Sequence, residues 1–150
     1  MGNTYTNLLY HIVFSTKGRV PAIQEDLRGP LYGYVGGIIR GEGGMLMEMG
    51  GMPDHVHLLM KLKSDMPVAT MVRLAKSRSS KWVNEASDVK AGFRWQVGYG
   101  AFSVSESQVG KIRRYIQTQE IHHAQVPFKD ELIGLLKKHR IEYDERYVFD

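Results

Sequence analysis

Two histidines one residue apart stand inside an otherwise apolar run, Gly50-Gly51-Met52-Pro53-Asp54-His55-Val56-His57-Leu58-Leu59-Met60. On a strand, residues two apart share a face, so His55 and His57 project together while Val56 points the other way. Two same-face imidazoles can offer nitrogens to one metal ion and leave positions open for further ligands and a substrate. An isolated pair of this kind is more often a hydrogen-bonded pair of core or surface histidines, so it needs a second feature to point to chemistry. Asp54 reads first as a turn former whose carboxylate bonds a nearby backbone N–H, and second as an outer partner orienting His55.

The second feature is Gln108–His123, QVGKIRRYIQTQEIHH. At helical spacing Tyr115 and Gln119 are i and i+4 and share a face. Val109, Ile112 and Ile116 form a packing stripe, with Arg113 and Arg114 beside the tyrosine. A tyrosine among cations, with a neutral oxygen ligand one turn away, suits phosphoryl transfer: the phenol attacks phosphorus, the cations favour phenolate and phosphate, and a metal polarises a phosphate oxygen. Most helical tyrosines merely pack and keep a wet hydroxyl. Of the eight tyrosines, Tyr115 stands apart through Gln119 and its basic neighbours, whereas Tyr143 and Tyr147 sit among acids that would repel a phosphate. His122 and His123 read as outer or helix-end residues rather than ligands. His11, between apolar neighbours in the first strand, reads as structural.

These residues need a scaffold. The 150 residues read as one domain, 1–150, with 43% hydrophobic and 24% charged residues, ordinary globular values. The N-terminus lacks a signal-peptide pattern, and no apolar stretch approaches the ~20 residues of a membrane helix. The absence of cysteine rules out disulfides and thiolate metal sites, and the expected location is the cytoplasm. A net charge of +4 and a pI near 9.3 are compatible with a polyanionic partner. Periodicity predicts a strand over 5–16, a helix over 21–40, strands over 45–49 and 55–62, and a helix over 67–86. A fourth strand over 93–97 follows, then a break at Gly98-Tyr99-Gly100, a helix capped by Ser105 or Ser107 and running to about His123, and a last helix over 129–139. The order β-α-β-β-α-β predicts an α+β, ferredoxin-like (split βαβ) antiparallel sheet with helices on one face, plus a C-terminal tyrosine-bearing helix.

Taken together, YHIVFSTKGR, MPDHVHLLM, WQVGYGAFSVSES, YIQTQEIHH and the tail FKDELIGLLKKHRIEYDERY closely resemble the small HUH transposases with a single catalytic tyrosine. These are the IS200-like enzymes of minimal bacterial insertion sequences and their domesticated relatives. The resemblance implies that His55, His57 and Gln119 bind a divalent ion, magnesium or manganese, and that Tyr115 is the nucleophile. It implies cleavage and rejoining of single-stranded DNA through a 5′-phosphotyrosine with a free 3′-hydroxyl, at hairpins formed by imperfect palindromes. It also implies a homodimer, in which the tyrosine helix of one subunit can complete the metal site of the other.

Charge adds a candidate DNA surface. Residues 61–81 carry six cations against one acid, Asp65, and LAKSRSSKW interleaves Lys76, Arg78 and Lys81 with serines that can bond phosphate. With Arg113 and Arg114 they are the expected DNA contacts. Trp82 and Trp95 read as core before base-stacking platforms. Two other functions fit the same residues. A non-catalytic single-stranded nucleic-acid-binding module would bind in a salt-sensitive way without needing His55. A histidine-based metallohydrolase would cut phosphoesters with water and never become attached to DNA.

Overall fold

The computed structural model describes residues 2–86, 92–123 and 126–149, with the side chains of His122 and His123 outside that description. Strand β1 (Leu8–Ser15) is followed by helix α1 (Glu25–Gly41), the hairpin of β2 (Met45–Met52) and β3 (His55–Leu62), and helix α2 (Val68–Ala86). Then come β4 (Gly100–Val104), α3 (Val109–Gln117), α4 (Gln119–His123) and α5 (Phe128–Lys138). The four strands among the described residues form one sheet in the order β2-β3-β1-β4, each neighbour antiparallel. This is the ferredoxin-like arrangement expected from the element order.

Alternation along the central strands divides the protein into two layers. Ile12, Phe14, Val56, Leu58, Met60 and Leu62 pack with Leu31, Val35 and Ile39 of α1 and with Met71, Val72 and Ala75 of α2. The opposite face carries Val13 and Phe102 against Phe128, Leu132 and Leu136 of α5. Because helices cover both faces, β3 is buried without interruption from His55 to Met60, which is why it reads as a continuous apolar run. The prediction of helices on one face holds for α1 and α2; α5 lies on the other.

The predicted fourth strand over 93–97 is misplaced. Only Trp95 bridges to Thr16, and the strand that pairs with Leu9–Val13 is Gly100–Val104. Phe93 and Trp95 do point into the core, so their alternation is genuine. Their backbone passes beyond the end of β1, where the Asn84 side chain bonds both the N–H and the C=O of Phe93. The predicted helix over 105–123 is also broken. A single 3-10 turn, Glu106–Gln108, precedes α3, and Thr118 ends it with φ −105° and its hydroxyl on the Arg114 carbonyl. A β-branched hydroxyl that bonds back to the preceding turn competes with the helix ladder. The first helix begins at Glu25 rather than 21, because Ile23 N–H is held by the Pro53 carbonyl of the β2–β3 hairpin. Among the described residues, no helix is long and apolar enough to cross a membrane.

A candidate metal and tyrosine site

His55 and His57 sit on the sheet face away from α1 and α2, both fully buried. Helix α3 comes close to the sheet edge here because Gly50, paired with His57 across the hairpin, has no side chain. A Cβ on Gly50 would stand 2.5 Å from the Ile116 carbonyl oxygen. That close approach places Tyr115 beside the histidines, its ring edge-on to His57 at 5.6 Å between centroids. Gln119, just past the break at Thr118, turns inward and is 2% exposed. Its carboxamide oxygen lies 3.1 Å from His55 Nε2. The three residues expected to hold an ion and the tyrosine therefore meet within one chain.

Helix α5 adds a residue that sequence reasoning missed. Glu131 is buried at 5% exposure, with Oε1 3.0 Å from His57 Nε2 and 3.5 Å from His55 Nε2. Its Oε2 accepts a short hydrogen bond from the Tyr115 hydroxyl and another at 3.2 Å from the Gln119 amide. A signal for it existed: Phe128, Leu132 and Leu136 form the apolar stripe of α5, and Glu131 falls on that buried stripe. A carboxylate on a buried stripe seldom stays there unpaired.

The outer nitrogens of both histidines are also engaged. Asp54 Oδ1 lies 2.7 Å from His55 Nδ1, so the second reading of Asp54 is the one the geometry matches. His11 Nε2 lies 2.8 Å from His57 Nδ1, which ties a residue read as structural into the site. Burial, followed by the nearby His57, pushes the His11 pKa down to about 3, so its ring is neutral. Phe128 stacks on the His55 ring at 4.0 Å and shuts solvent from that side. Burial first, then the Glu131 hydrogen bond and charge, push the Tyr115 hydroxyl above its ordinary range, while the Gln119 bond acts in the opposite direction.

This donor set fits a divalent cation. Ligand atoms of His55, His57 and Glu131 lie within 4.8 Å of one another. The Nδ1–H tautomer of His55, which donates to Asp54, turns the lone pair of Nε2 toward the Gln119 and Glu131 oxygens. Electron pairs facing one another in a buried space are the arrangement a cation resolves. Two imidazoles with amide and carboxylate oxygens suit manganese or magnesium supplemented by water, and would also accept zinc.

The expected DNA contacts fall into different settings. Arg78 is half exposed and pairs with Glu42 at 2.9 Å, while Lys81 is exposed 4.0 Å from Glu85. Arg114 is exposed on α3. Arg113 is half-buried, donating to the Met47 carbonyl, and lies 3.6 Å from Glu48. Lys76 donates to the carbonyls of Gln96 and Gly98, at 2.8 and 2.5 Å, and fastens the segment before β4 to α2. With Lys17, Arg73 and Arg94 it lines a groove of about 460 Å³ between α2 and that segment. Trp95 is buried with its indole N–H on Ser79, and Trp82 stacks on Tyr34. The core reading of Trp95 thus matches its setting.

Residues 4–119 match the family described as IS200-like transposases. The chain is 26% identical over 117 residues to the ISDra2 transposase TnpA of Deinococcus radiodurans, covering 75% of this chain and 84% of that relative. A crystal structure from Deinococcus radiodurans assigned to the transposases superposes with a TM-score of 0.63 at 26% identity, covering 79% of this chain and 96% of that one. A REP-associated tyrosine transposase bound to a REP hairpin shares the fold, with a TM-score of 0.62 at 15% identity over 84% of this chain and 74% of its own. Helix α5, with Glu131, lies beyond the family match.

Proposed function

Because the chain belongs to the IS200-like transposase family, we propose that it cuts and rejoins single-stranded DNA through a covalent bond to Tyr115. The observation that carries this reading is the shared carboxylate: Glu131 contacts the Tyr115 hydroxyl with one oxygen and the histidine nitrogens with the other. A nucleophile with a proton acceptor beside it and a metal-donor set within reach suits phosphoryl transfer to a side chain.

In the proposed step the Tyr115 oxygen bonds to phosphorus and the bond from phosphorus to the 3′ oxygen breaks. The products are a 5′-phosphotyrosine and, after proton uptake, a 3′-hydroxyl. The phenol proton has an acceptor in place at Glu131. A 3′-hydroxyl attacking the phosphotyrosine reverses the chemistry, so strands are rejoined without ATP. His55, His57 and Gln119, joined by Glu131, would hold the divalent ion, whose chemistry is to polarise a phosphate oxygen and offset charge in the transition state. Phe128 over His55 covers one side of the site, and the low exposure of His55, His57 and Glu131 strengthens those charge interactions.

Single-stranded DNA that forms a hairpin is the proposed substrate. The relative solved with a REP hairpin supports it, as do the basic groove beside α2 and the exposed cations Arg78, Lys81 and Arg114. The reading includes a homodimer, checked by sedimentation. The deciding experiment incubates the protein with strands carrying subterminal palindromes from around its gene, with magnesium or manganese. A denaturant-stable protein–DNA adduct, lost in Tyr115→Phe, is expected. An adduct at normal yield in Tyr115→Phe would remove Tyr115 as nucleophile. Cleavage without any adduct would instead mark a hydrolase.

A further inference from the structure

We propose that His11 is a positioning residue of the metal site, setting which nitrogen of His57 carries the proton and reversing that choice when an ion is bound. The inference rests on the metal site of the preceding section, though not on the DNA chemistry assigned to it.

The register puts His11 beside His57. Val13 pairs with His57 and His11 with Leu59, so His11 is the diagonal neighbour of His57 on the same sheet face. Its Nε2 lies 2.8 Å from His57 Nδ1, with both rings buried. The ring planes differ by 25° with centroids 5.1 Å apart, the geometry of an edge-to-edge N–H···N bond rather than face stacking. A neutral imidazole has one N–H, so one of these two nitrogens donates and the other accepts.

Which one donates depends on the far side of His57. Its Nε2 lies 3.0 Å from Glu131 Oε1, and an ionised carboxylate only accepts. Without an ion, His57 therefore carries its proton on Nε2, leaves Nδ1 bare and accepts from His11 Nε2–H. To ligate an ion, Nε2 must present its lone pair, so the His57 proton moves to Nδ1 and donates to His11. His11 then accepts at Nε2 and holds its own proton on Nδ1. Each ring keeps one proton throughout, and neither changes charge.

The partner of His57 must thus serve as donor in one state and acceptor in the other, from a single position. Imidazole does this by shifting its proton, and a carboxamide can do it by rotating; an apolar ring can do neither. The contrast with His55 supports the assignment. Its outer nitrogen faces Asp54, a carboxylate that only accepts, which holds the proton on Nδ1 in both states. His55 is preset for metal, and His57 is switched by His11.

Nitrogen-15 NMR of the wild-type protein reads the tautomers directly, metal-free and loaded with diamagnetic zinc. The expected result is His57 protonated on Nε2 without metal and on Nδ1 with it, with His11 changing in step. The same His57 tautomer in both samples overturns the inference. Manganese affinity, followed by EPR, is the second measurement. His11→Phe should weaken binding by about 10–100-fold, the usual effect of losing an outer hydrogen-bond partner. His11→Gln should remain close to wild type. Equal affinity in His11→Phe and wild type, or equal loss in both variants, also overturns it. A wild-type protein that binds neither metal removes the metal site and this inference together. A protein that shows the switch but forms no DNA adduct leaves the inference standing while the proposed function falls.

Discussion

Tyr115 and Glu131 come from different helices, α3 and α5, yet the phenol O–H donates directly to the carboxylate. The other Glu131 oxygen is 3.0 Å from His57 Nε2. One carboxylate therefore faces both the proposed nucleophile and the proposed metal ligands. Together with burial, its charge raises the barrier to ionising Tyr115. Negative charge that Glu131 shares with a cation is charge no longer opposing the phenolate, which links readiness of the nucleophile to occupancy of the site.

Glu131→Gln should therefore act in two opposite directions. In the metal-free protein the Tyr115 phenol should titrate at lower pH than in wild type, because a neutral amide removes the charge that opposes the phenolate. Manganese affinity should fall by roughly tenfold or more, since a charged donor is lost. A difference ultraviolet titration against Tyr115→Phe reads the first, and EPR reads the second. An unchanged phenol titration would show that Glu131 does not control this hydroxyl.

Gly50→Ala should separate placement of the tyrosine from metal binding. The new methyl would meet the Ile116 carbonyl at 2.5 Å, so α3 must move away from β2. Overpacking of this kind costs about 1–3 kcal/mol. DNA adduct formation should drop well beyond any loss in folded protein, while His55 and His57 still bind manganese. Wild-type adduct yield in a folded Gly50→Ala protein would show that α3 can shift without consequence.

Lys76 supplies a pH signature. Burial pulls its pKa down to about 8 in the folded protein, below the roughly 10.4 of an unfolded chain. Between those values the unfolded chain binds the extra proton, so folding stability rises with pH across that window and gains nothing below it. Lys76→Met lacks this group and should show a flatter profile. Urea melts of both proteins at about pH 7 and about pH 10 make the comparison, and parallel profiles would contradict it.

The cations should divide by setting. Arg78→Gln and Lys81→Gln, both on exposed side chains, should weaken hairpin-strand binding evenly across sequences and lower the salt slope by about 1 each. Arg113→Gln should instead cost stability, about 1 kcal/mol, because its guanidinium holds the Met47 carbonyl of β2. Salt titrations of DNA binding beside urea melts distinguish the two classes. A full salt-slope change in Arg113→Gln with no loss of stability would reverse its assignment.

Much of this architecture could be read from local pattern. The β-branched and aromatic composition around Leu8–Ser15 and the run His55–Leu62 identify the two central strands, and the α1 and α2 stripes follow from 3.6-residue spacing. Segment 93–97 misled because it has strand composition and inward-facing aromatics but lies past the end of its partner strand. Pairing depends on a neighbour's length, which no local window contains.

The sequence alone determined which residues share a face: His55 with His57, by the two-residue period of a strand, and Tyr115 with Gln119, by helical spacing. Only the tertiary structure decided that those two faces meet, because Gly50 lets α3 close on the hairpin. It also decided that Glu131 and His11 belong with them. In the chain Glu131 looks like an acid in a first helical turn, and His11 like one polar residue in an apolar strand. Their roles come from what stands opposite once α5 lies on the sheet and β1 pairs with β3. A hydrogen bond between residues 46 or 74 positions apart is a property of packing, and local spacing carries no record of it.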